Sequence, residues 1–430
     1  MKSLFIDLFA GCGGLSLGLE QAGFNPVYVN ELNNDALSTY LENRPEYKYL
    51  KLKKFHSNDI RELTKNNSTL SKLSKNLKSE FNISKGELSL VVGGPPCQGY
   101  SGIGHRRNYK VDKEKIPSNY LYKEMYKVIE HFNPKAFIFE NVRGLLSARW
   151  TKDGEKGEIF KDVLKQFSKL KNYNYHYSLV QSKDYGVPQN RPRVLIIGIR
   201  KDINSKINKE DLFPKKDRSY PHLGDLLSDL LDKNYNKNYV TNSYLFDPKT
   251  KIQKILRTKK STASFLKKGD KLTDQEYSKH SPHIVQKFQS MLNNNGIIKA
   301  KFKTKKFAQR LLTKKWNGKG PNITATSLPD DYVHFSQPRT LTVREWARLQ
   351  MFPDWYTFKG KRHTGGIRRA GNPQKGIFDR EVPKYTQIGN AVPVELARRI
   401  GLNLKKLLSV EQCVLHSKFH QIFRLEHRCT

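Results

Sequence analysis

Ser3-Leu4-Phe5-Ile6-Asp7-Leu8-Phe9-Ala10-Gly11-Cys12-Gly13-Gly14-Leu15 decides the fold. Ser3–Phe9 is apolar enough to be a buried strand. Leu15–Ala22 then reads as a helix that Gly23 ends, and a glycine-rich turn joins the two. Gly11, Gly13 and Gly14 let the backbone turn tightly and come close to a ligand. The spacing is not the GxGxxG of a dinucleotide site. A strand that enters a helix through such a turn is how a doubly wound α/β sheet begins.

The pattern repeats outward from there. Val27–Asn30 is the next strand, followed by a helix near Asp35–Leu41. Leu88–Val92 is a strand and Leu121–Phe132 a helix, with Met125, Val128, Ile129 and Phe132 on one face. Ala136–Phe139 is a strand, Ile159–Leu170 a helix, and Tyr175–Val180 with Val194–Ile199 a closing hairpin. Alternation of this kind predicts an α/β fold whose mostly parallel sheet carries helices on both faces. From 201 to about 335, Lys, Asn, Asp and Ser dominate and periodicity fades, so this stretch is a second domain or a large insertion. Patterning returns after 338, and Pro393 starts an amphipathic helix carrying Val394, Ala397, Ile400, Leu404 and Leu407. The tail from Val410 is basic.

The chain has 430 residues and a net charge of +38, from 78 Lys and Arg against 40 Asp and Glu. That excess reads as a field for a polyanion, nucleic acid above all. There is no signal-peptide pattern and no apolar run long enough to span a bilayer, so a membrane is not the expected partner. Cys12, Cys97, Cys413 and Cys429 are widely spaced and form neither a disulfide framework nor a metal site. The expected compartment is reducing, and Cys97 stays free to react.

Cys97 sits in Gly93-Gly94-Pro95-Pro96-Cys97-Gln98-Gly99-Tyr100-Ser101, directly after a strand. Two prolines and flanking glycines present the thiol at a strand end, where doubly wound proteins keep their chemistry. Glu140 closes the apolar strand Phe137–Phe139, where partial burial raises a carboxyl pKa. Arg191 and Arg193 flank Pro192 and give rigid, permanently charged donors. Thiol, acid and arginine together suggest covalent catalysis on an electron-poor ring. At the other end, Glu31 closes the second strand, where an acid can accept from ribose hydroxyls. Asp59 falls where a third strand ends and could accept from an adenine amino group. Taken singly, each acid reads more readily as a helix cap or a solvated loop residue. With the glycine turn they suit an adenosine without pyrophosphate, which points to S-adenosylmethionine rather than NAD.

In this order the motifs resemble those of the DNA (cytosine-5)-methyltransferases. The resemblance covers most of 3–200 and 338–401. It runs through Asp7–Gly14, Glu31, Asp59, Gly94–Ser101, Glu140-Asn141-Val142 and Gln189–Arg193. It continues with Arg339–Glu345, Ala347–Gln350 and Phe352-Pro353, and closes with Gln387–Pro393. It implies an S-adenosylmethionine-dependent, Rossmann-like catalytic domain over 1–200 and a smaller target-recognition domain over 201–337. It further implies a return segment with a basic insertion over 338–385, and a C-terminal helix over 386–430 that completes the catalytic domain. Cys97 would attack carbon 6 of a flipped-out cytosine, and carbon 5 would take the methyl group. Glu140 would hold ring N3, and Arg193, supported by Arg191, ring O2. Pro96, Gln98, Ser101 and Asn141 would complete the substrate side. Phe9, Ala10, Gly11, Cys12, Gly13, Gly14, Leu15, Glu31, Asp59, Ile60, Pro95, Leu121, Asn390, Ala391 and Val392 would form the cofactor pocket.

The implied partner is double-stranded DNA, with a restriction endonuclease as functional counterpart, for a monomer in a prokaryotic cytoplasm at the nucleoid. Arg257, Lys259, Lys260, Thr324 and Thr326 are candidate recognition contacts, although a charge run such as this reads more readily as a solvated face. Two departures stand out. Cys12 places a second thiol in the first motif, expected to be structural and tolerated but to complicate labelling. Thr357–Tyr385 is long and basic and reads equally as a phosphate-contacting loop or a solvated one. An RNA methyltransferase of the same fold is the nearest rival, although Gly99-Tyr100-Ser101 looks like the DNA branch. An inactive DNA-binding relative is disfavoured by intact Cys97, Glu140 and Arg193, and an oxidoreductase by the missing dinucleotide fingerprint.

Overall fold

The computed structural model describes residues 3–96, 112–204, 206–217, 219–303, 309–315, 321–323, 331–365, 368 and 380–409. Cys97, Gln98, Ser101, Thr324, Thr326, much of the basic stretch before Arg380 and the tail from Val410 lie outside them.

Seven strands form one sheet. They are β1 (Leu4–Leu8), β2 (Asn25–Asn30), β3 (His56–Ser57), β4 (Leu90–Gly93), β5 (Ala136–Val142), β6 (Tyr173–Gln181) and β7 (Pro192–Arg200), in the order β3-β2-β1-β4-β5-β7-β6. The first five run parallel, β7 is antiparallel to β5, and β6 is antiparallel to β7. Every residue of β1 and β4 is buried, as expected of parallel strands covered on both sides.

The pleat sorts the core into two layers. Ile6, Leu8, Val91, Phe137, Phe139, Val194 and Ile196 pack on one face, against α4 (Asn67–Phe81), α5 (Tyr122–Phe132) and α6 (Glu158–Phe167). Phe5, Leu90, Val92, Ile138, Leu195 and Ile197 pack on the other, against α1 (Gly14–Gln21) and the final helix over 394–409. A Cβ on Gly18 would lie 2.4 Å from the Val394 carbonyl, so these two helices cross where no side chain fits between them.

Register aligns the strand ends that carry the motifs. Ser57, Asn30, Leu8, Gly93 and Phe139 are successive neighbours across the sheet. All candidate loops therefore leave from one edge. The chain winds to opposite sides of β1, and the crevice outside that switch point is where doubly wound folds bind ligands.

A second core joins the weakly patterned region to the segment after it. Leu223, Leu226, Leu227, Tyr244, Leu256 and Leu272 pack with Trp346, Leu349, Phe352 and Tyr356. Inside it α7 (Val343–Leu349), opened by a Thr342/Glu345 capping box, carries fully buried arginines. Arg348 pairs with Asp229 at 2.5 Å and Asp354 at 2.6 Å, and Arg339 with Glu345 at 2.6 Å. Arg344 donates to Tyr356 O at 2.8 Å and Thr273 Oγ1 at 2.9 Å. Breaking one such pair would cost about 3–5 kcal/mol, because the partner stays buried and charged. Among the described residues, no helix is long and apolar enough to cross a membrane.

Two expectations change. The strand expected to stop at Phe139 continues to Val142, because β7 keeps pairing with it: Glu140 faces Leu195, Asn141 faces Val194 and Val142 faces Arg193. Glu140 thus stands within a strand, not beyond its end. A further helix, α8 (Lys384–Asn390), carries the first four residues of the last motif, Gln387–Asn390.

Candidate active site

The turn after β1 is strained on purpose. Phe9 has φ of 56°, Gly11 57° and Gly13 82°. A bulky residue held in the left-handed region costs about 1–3 kcal/mol, and such strain collects at functional sites. The three glycines answer to different demands. A Cβ on Gly13 would strike the Tyr40 and Arg44 side chains at 2.8–2.9 Å, and one on Gly14 would lie 2.4 Å from the Val392 carbonyl. On Gly11 it would meet nothing within 4 Å. Gly13 and Gly14 are thus dictated by packing behind the turn, whereas Gly11 borders open space.

Glu31 holds that turn from β2. Its Oε2 accepts from Gly11 N–H at 2.8 Å and its Oε1 from Asn33 N–H at 2.8 Å. Burial pushes its carboxyl up, and the two amides oppose the shift. Asp59 caps the short helix Ile60–Leu63. It accepts from Arg61 N–H at 2.9 Å and from the Arg61 guanidinium at 2.6 Å, contacts that hold its carboxyl below the usual range. Ile60 is buried behind it and Leu121, at the start of α5, is partly buried against the core. Leu32 is 67 % exposed beside Glu31. It is an uncovered apolar side chain at this edge, and one leucine after a strand makes no pattern in a sequence.

The last motif closes the same edge. Arg191 Nη2 donates to Gly389 O at 2.6 Å and Ala391 O at 2.9 Å, and Nη1 donates to Ile323 O. It straps the turn before β7 to Asn390-Ala391-Val392 and to the second core. Gln189 extends the strap, donating to Gln350 Oε1 at 2.8 Å, while Gln350 donates to Ile388 O at 2.7 Å.

Next to it lies the acid. Glu140 and Arg193 are each 8 % exposed, and Arg193 Nε stands 2.7 Å from Glu140 Oε1. The two groups neutralise each other as a buried ion pair whose contact falls outside ideal hydrogen-bond alignment. Burial pushes the Glu140 carboxyl up, against the pull of Arg193 and Arg191. The segment leading to Cys97 runs directly over this pair. A Cβ on Gly94 would lie 2.8 Å from Glu140 Oε2, and Asn141 Nδ2 donates to Pro95 O at 3.1 Å. The strand extension that lengthened β5 is what puts Asn141 in reach.

Other candidates are placed elsewhere. Cys12 is buried, donates its thiol to Gln387 O at 3.4 Å, and burial pushes that thiol up to about 12. It is a packing group, in keeping with its reading as a structural residue, and a thiol buried this way does not compete in labelling. Arg257 is fully buried, paired with Asp229 at 2.6 Å and stacked 3.7 Å from the Tyr244 ring centre. It is a core residue and not a DNA contact. Lys260 is engaged by Glu46 at 2.7 Å and Lys259 lies 4.0 Å from Asp270.

This sheet and edge define an S-adenosylmethionine-dependent methyltransferase fold. The fold is shared with a prophage-encoded E. coli protein described as a DNA modification methyltransferase (TM-score 0.64, 23% identity, 94% of this chain and 99% of that one). It is also shared with the Entamoeba histolytica methyltransferase EhMeth (TM-score 0.52, 14% identity, 94% and 98%). Residues 4–406 match the C-5 cytosine-specific DNA methylases, and the chain belongs to that family. Similar relatives include the type II methyltransferase M.DdeI of Desulfomicrobium norvegicum, 29% identical over 92% of this chain and 87% of the relative. M1.HphI of Haemophilus parahaemolyticus is 28% identical over 95% and 88%. The protein is thus a DNA cytosine-5 methyltransferase.

Proposed function

We propose that the enzyme methylates carbon 5 of a cytosine flipped out of duplex DNA, through a covalent Cys97 adduct, with S-adenosylmethionine as donor. The observation that carries this reading is the buried Glu140–Arg193 pair, with unaligned polar atoms, directly beneath Gly94 and Pro95. The donor fits the neighbouring edge: Gly11 is open, Glu31 offers a carboxylate, and Leu32 is uncovered. Phe9–Leu15, Glu31, Asp59, Ile60, Pro95, Leu121 and Asn390–Val392 would hold it. When bound, it supplies the electrophilic methyl group that carbon 5 accepts.

The chain's own residues do the rest. A free thiol is a few per cent ionised near neutrality, and the Cys97 thiolate adds to carbon 6. Glu140, its pKa raised by burial, gives or shares a proton at ring N3, so the added electron pair is not stranded as charge on the ring. Arg193 donates to O2, and Arg191 fixes the turn that carries it. After methylation the carbon-5 proton leaves to a base and the thiolate departs, restoring the ring. Extruding the base costs a few kcal/mol, offset by contacts to the flipped nucleotide. Target recognition is assigned to 201–337 and its flanks, and pairing with an endonuclease to a restriction-modification setting like that of the type II relatives.

Duplex DNA carrying 5-fluorocytosine tests this directly, since the fluorine cannot leave as a proton does. With cofactor present, an adduct stable to denaturing gels is expected for the wild type and none for Cys97→Ala, which still binds cofactor. Full activity in Cys97→Ala, or methylation of tRNA and not DNA, overturns the reading.

A further inference from the structure

We infer that Arg44 and Tyr356 position the methyl-donor turn from behind, so that cofactor affinity depends on a segment of the second core. The inference rests on the donor reading of the Gly11–Gly14 turn given above.

The front of that turn is open and the back is held. Tyr356 Oη donates to Cys12 O at 2.5 Å, and Arg44 Nη2 donates to Gly13 O at 3.3 Å. Gly13 O also accepts Leu17 N–H at 2.9 Å, the bond that starts α1. Two successive carbonyls are therefore fixed by donors from distant parts of the chain. One comes from the end of the helix Asn34–Glu42, the other from just beyond α7. The Cys12 carbonyl lies in the peptide plane that leads into Gly13, so the Tyr356 bond helps choose the φ of 82° there from the several that glycine allows.

The two donors also hold each other. Arg44 Nη1 donates to Tyr356 Oη at 3.1 Å and to Tyr40 O at 2.9 Å, and its guanidinium lies 3.7 Å from the Tyr40 ring centre. Glu20 balances its charge at 2.6 Å, and the arginine side chain is 1 % exposed. Tyr356 is tied back into the second core, where its carbonyl accepts from Arg344 at 2.8 Å. Beside it, Asn43 and Thr357 exchange bonds of 2.7 and 2.9 Å. Movement of the 353–358 segment would thus reach the turn through two hydrogen bonds, without touching the front of the pocket.

Tyr356→Phe removes one hydroxyl and keeps the ring. It leaves the buried Cys12 carbonyl short of a donor, so S-adenosylmethionine Kd by calorimetry and its KM should rise about tenfold. The kcat at saturating cofactor and the KM for DNA should stay within twofold. Tyr173→Phe is the control: its buried hydroxyl donates to Pro134 O at 2.5 Å, away from the turn. It should lose comparable thermal stability with cofactor Kd unchanged. The Arg44→Met/Glu20→Gln pair, which leaves no unpaired charge, should weaken cofactor too, and less than additively when combined with Tyr356→Phe. An unchanged cofactor Kd in Tyr356→Phe, or an equal rise in Tyr173→Phe, overturns the inference. A wild type that binds no S-adenosylmethionine overturns instead the donor reading beneath it.

Discussion

Asp7→Asn should make the enzyme more stable at neutral pH and nearly unchanged in acid. Asp7 lies in the middle of the sheet at 1 % exposure. Ser16 Oγ donates to it and stands 2.9 Å from Tyr40 Oη. Burial pushes the carboxyl from 3.8 to about 7, with Ser16 and Arg44 pulling the other way. Well below 3.8 the group is neutral whether folded or unfolded, and its protonated form is accommodated. Between pH 4 and 7 the unfolded chain ionises and the folded one resists, so stability falls by up to about 1.4 kcal/mol per pH unit. Above 7 the loss levels off at about 4 kcal/mol. Asparagine keeps an acceptor for Ser16 and has no proton to lose. Urea melts of both proteins from pH 5 to 8 should show the variant's advantage growing by about 2–3 kcal/mol up to pH 7 and then flattening. Parallel pH curves would refute the assignment, as would a variant less stable than wild type at pH 8.

Three further outcomes are expected. Glu140→Gln should lower kcat about 10²–10⁴-fold; since burial raises the Glu140 pKa, wild-type kcat should fall as pH rises through it, and a variant with the same alkaline limb would remove Glu140 from the mechanism. Gly14→Ala should cost about 1–3 kcal/mol in melts and weaken cofactor binding, because the new Cβ sits 2.4 Å from Val392 O; unaltered melting and binding would contradict that packing. DNA affinity should drop steeply with salt, at a log–log slope of about −0.9 per phosphate neutralised, and a slope near zero would mean that the +38 charge serves something else.

The sheet was legible because its strands are continuous apolar runs and its turns are rich in glycine. Both signals are local. The second core was not legible, for a physical reason: its interior is held by Arg339, Arg344 and Arg348 against Asp229, Glu345 and Asp354. In a sequence such residues read as a solvated face, and they hide a helical spacing that is present, Leu223, Leu226, Leu227 and Leu230, then Val343, Trp346 and Ala347. Arg257 is the same case: a candidate DNA contact or a solvated charge in the sequence, it is a buried partner of Asp229 in the fold. The chemistry side was legible in residue type but not in reach. Nothing local says that antiparallel pairing with β7 carries β5 on to Val142 and delivers Asn141 to Pro95. Leu32 and the Arg44–Tyr356 support are contacts between distant segments with no motif of their own.

The contact between Gly14 and the Val392 carbonyl has a consequence in time. The pocket's first wall and its last are separated by most of the polypeptide. At roughly 5–20 residues per second, a ribosome would release the second wall roughly 20–80 s after the first. Until the final helix docks on α1, a nascent chain has the glycine turn without its lid of backbone. On the proposed donor reading, competence for the methyl donor therefore arrives only once Val392 has emerged, after the segments that fill the second core, and a product that stops short of Val392 would be born without it.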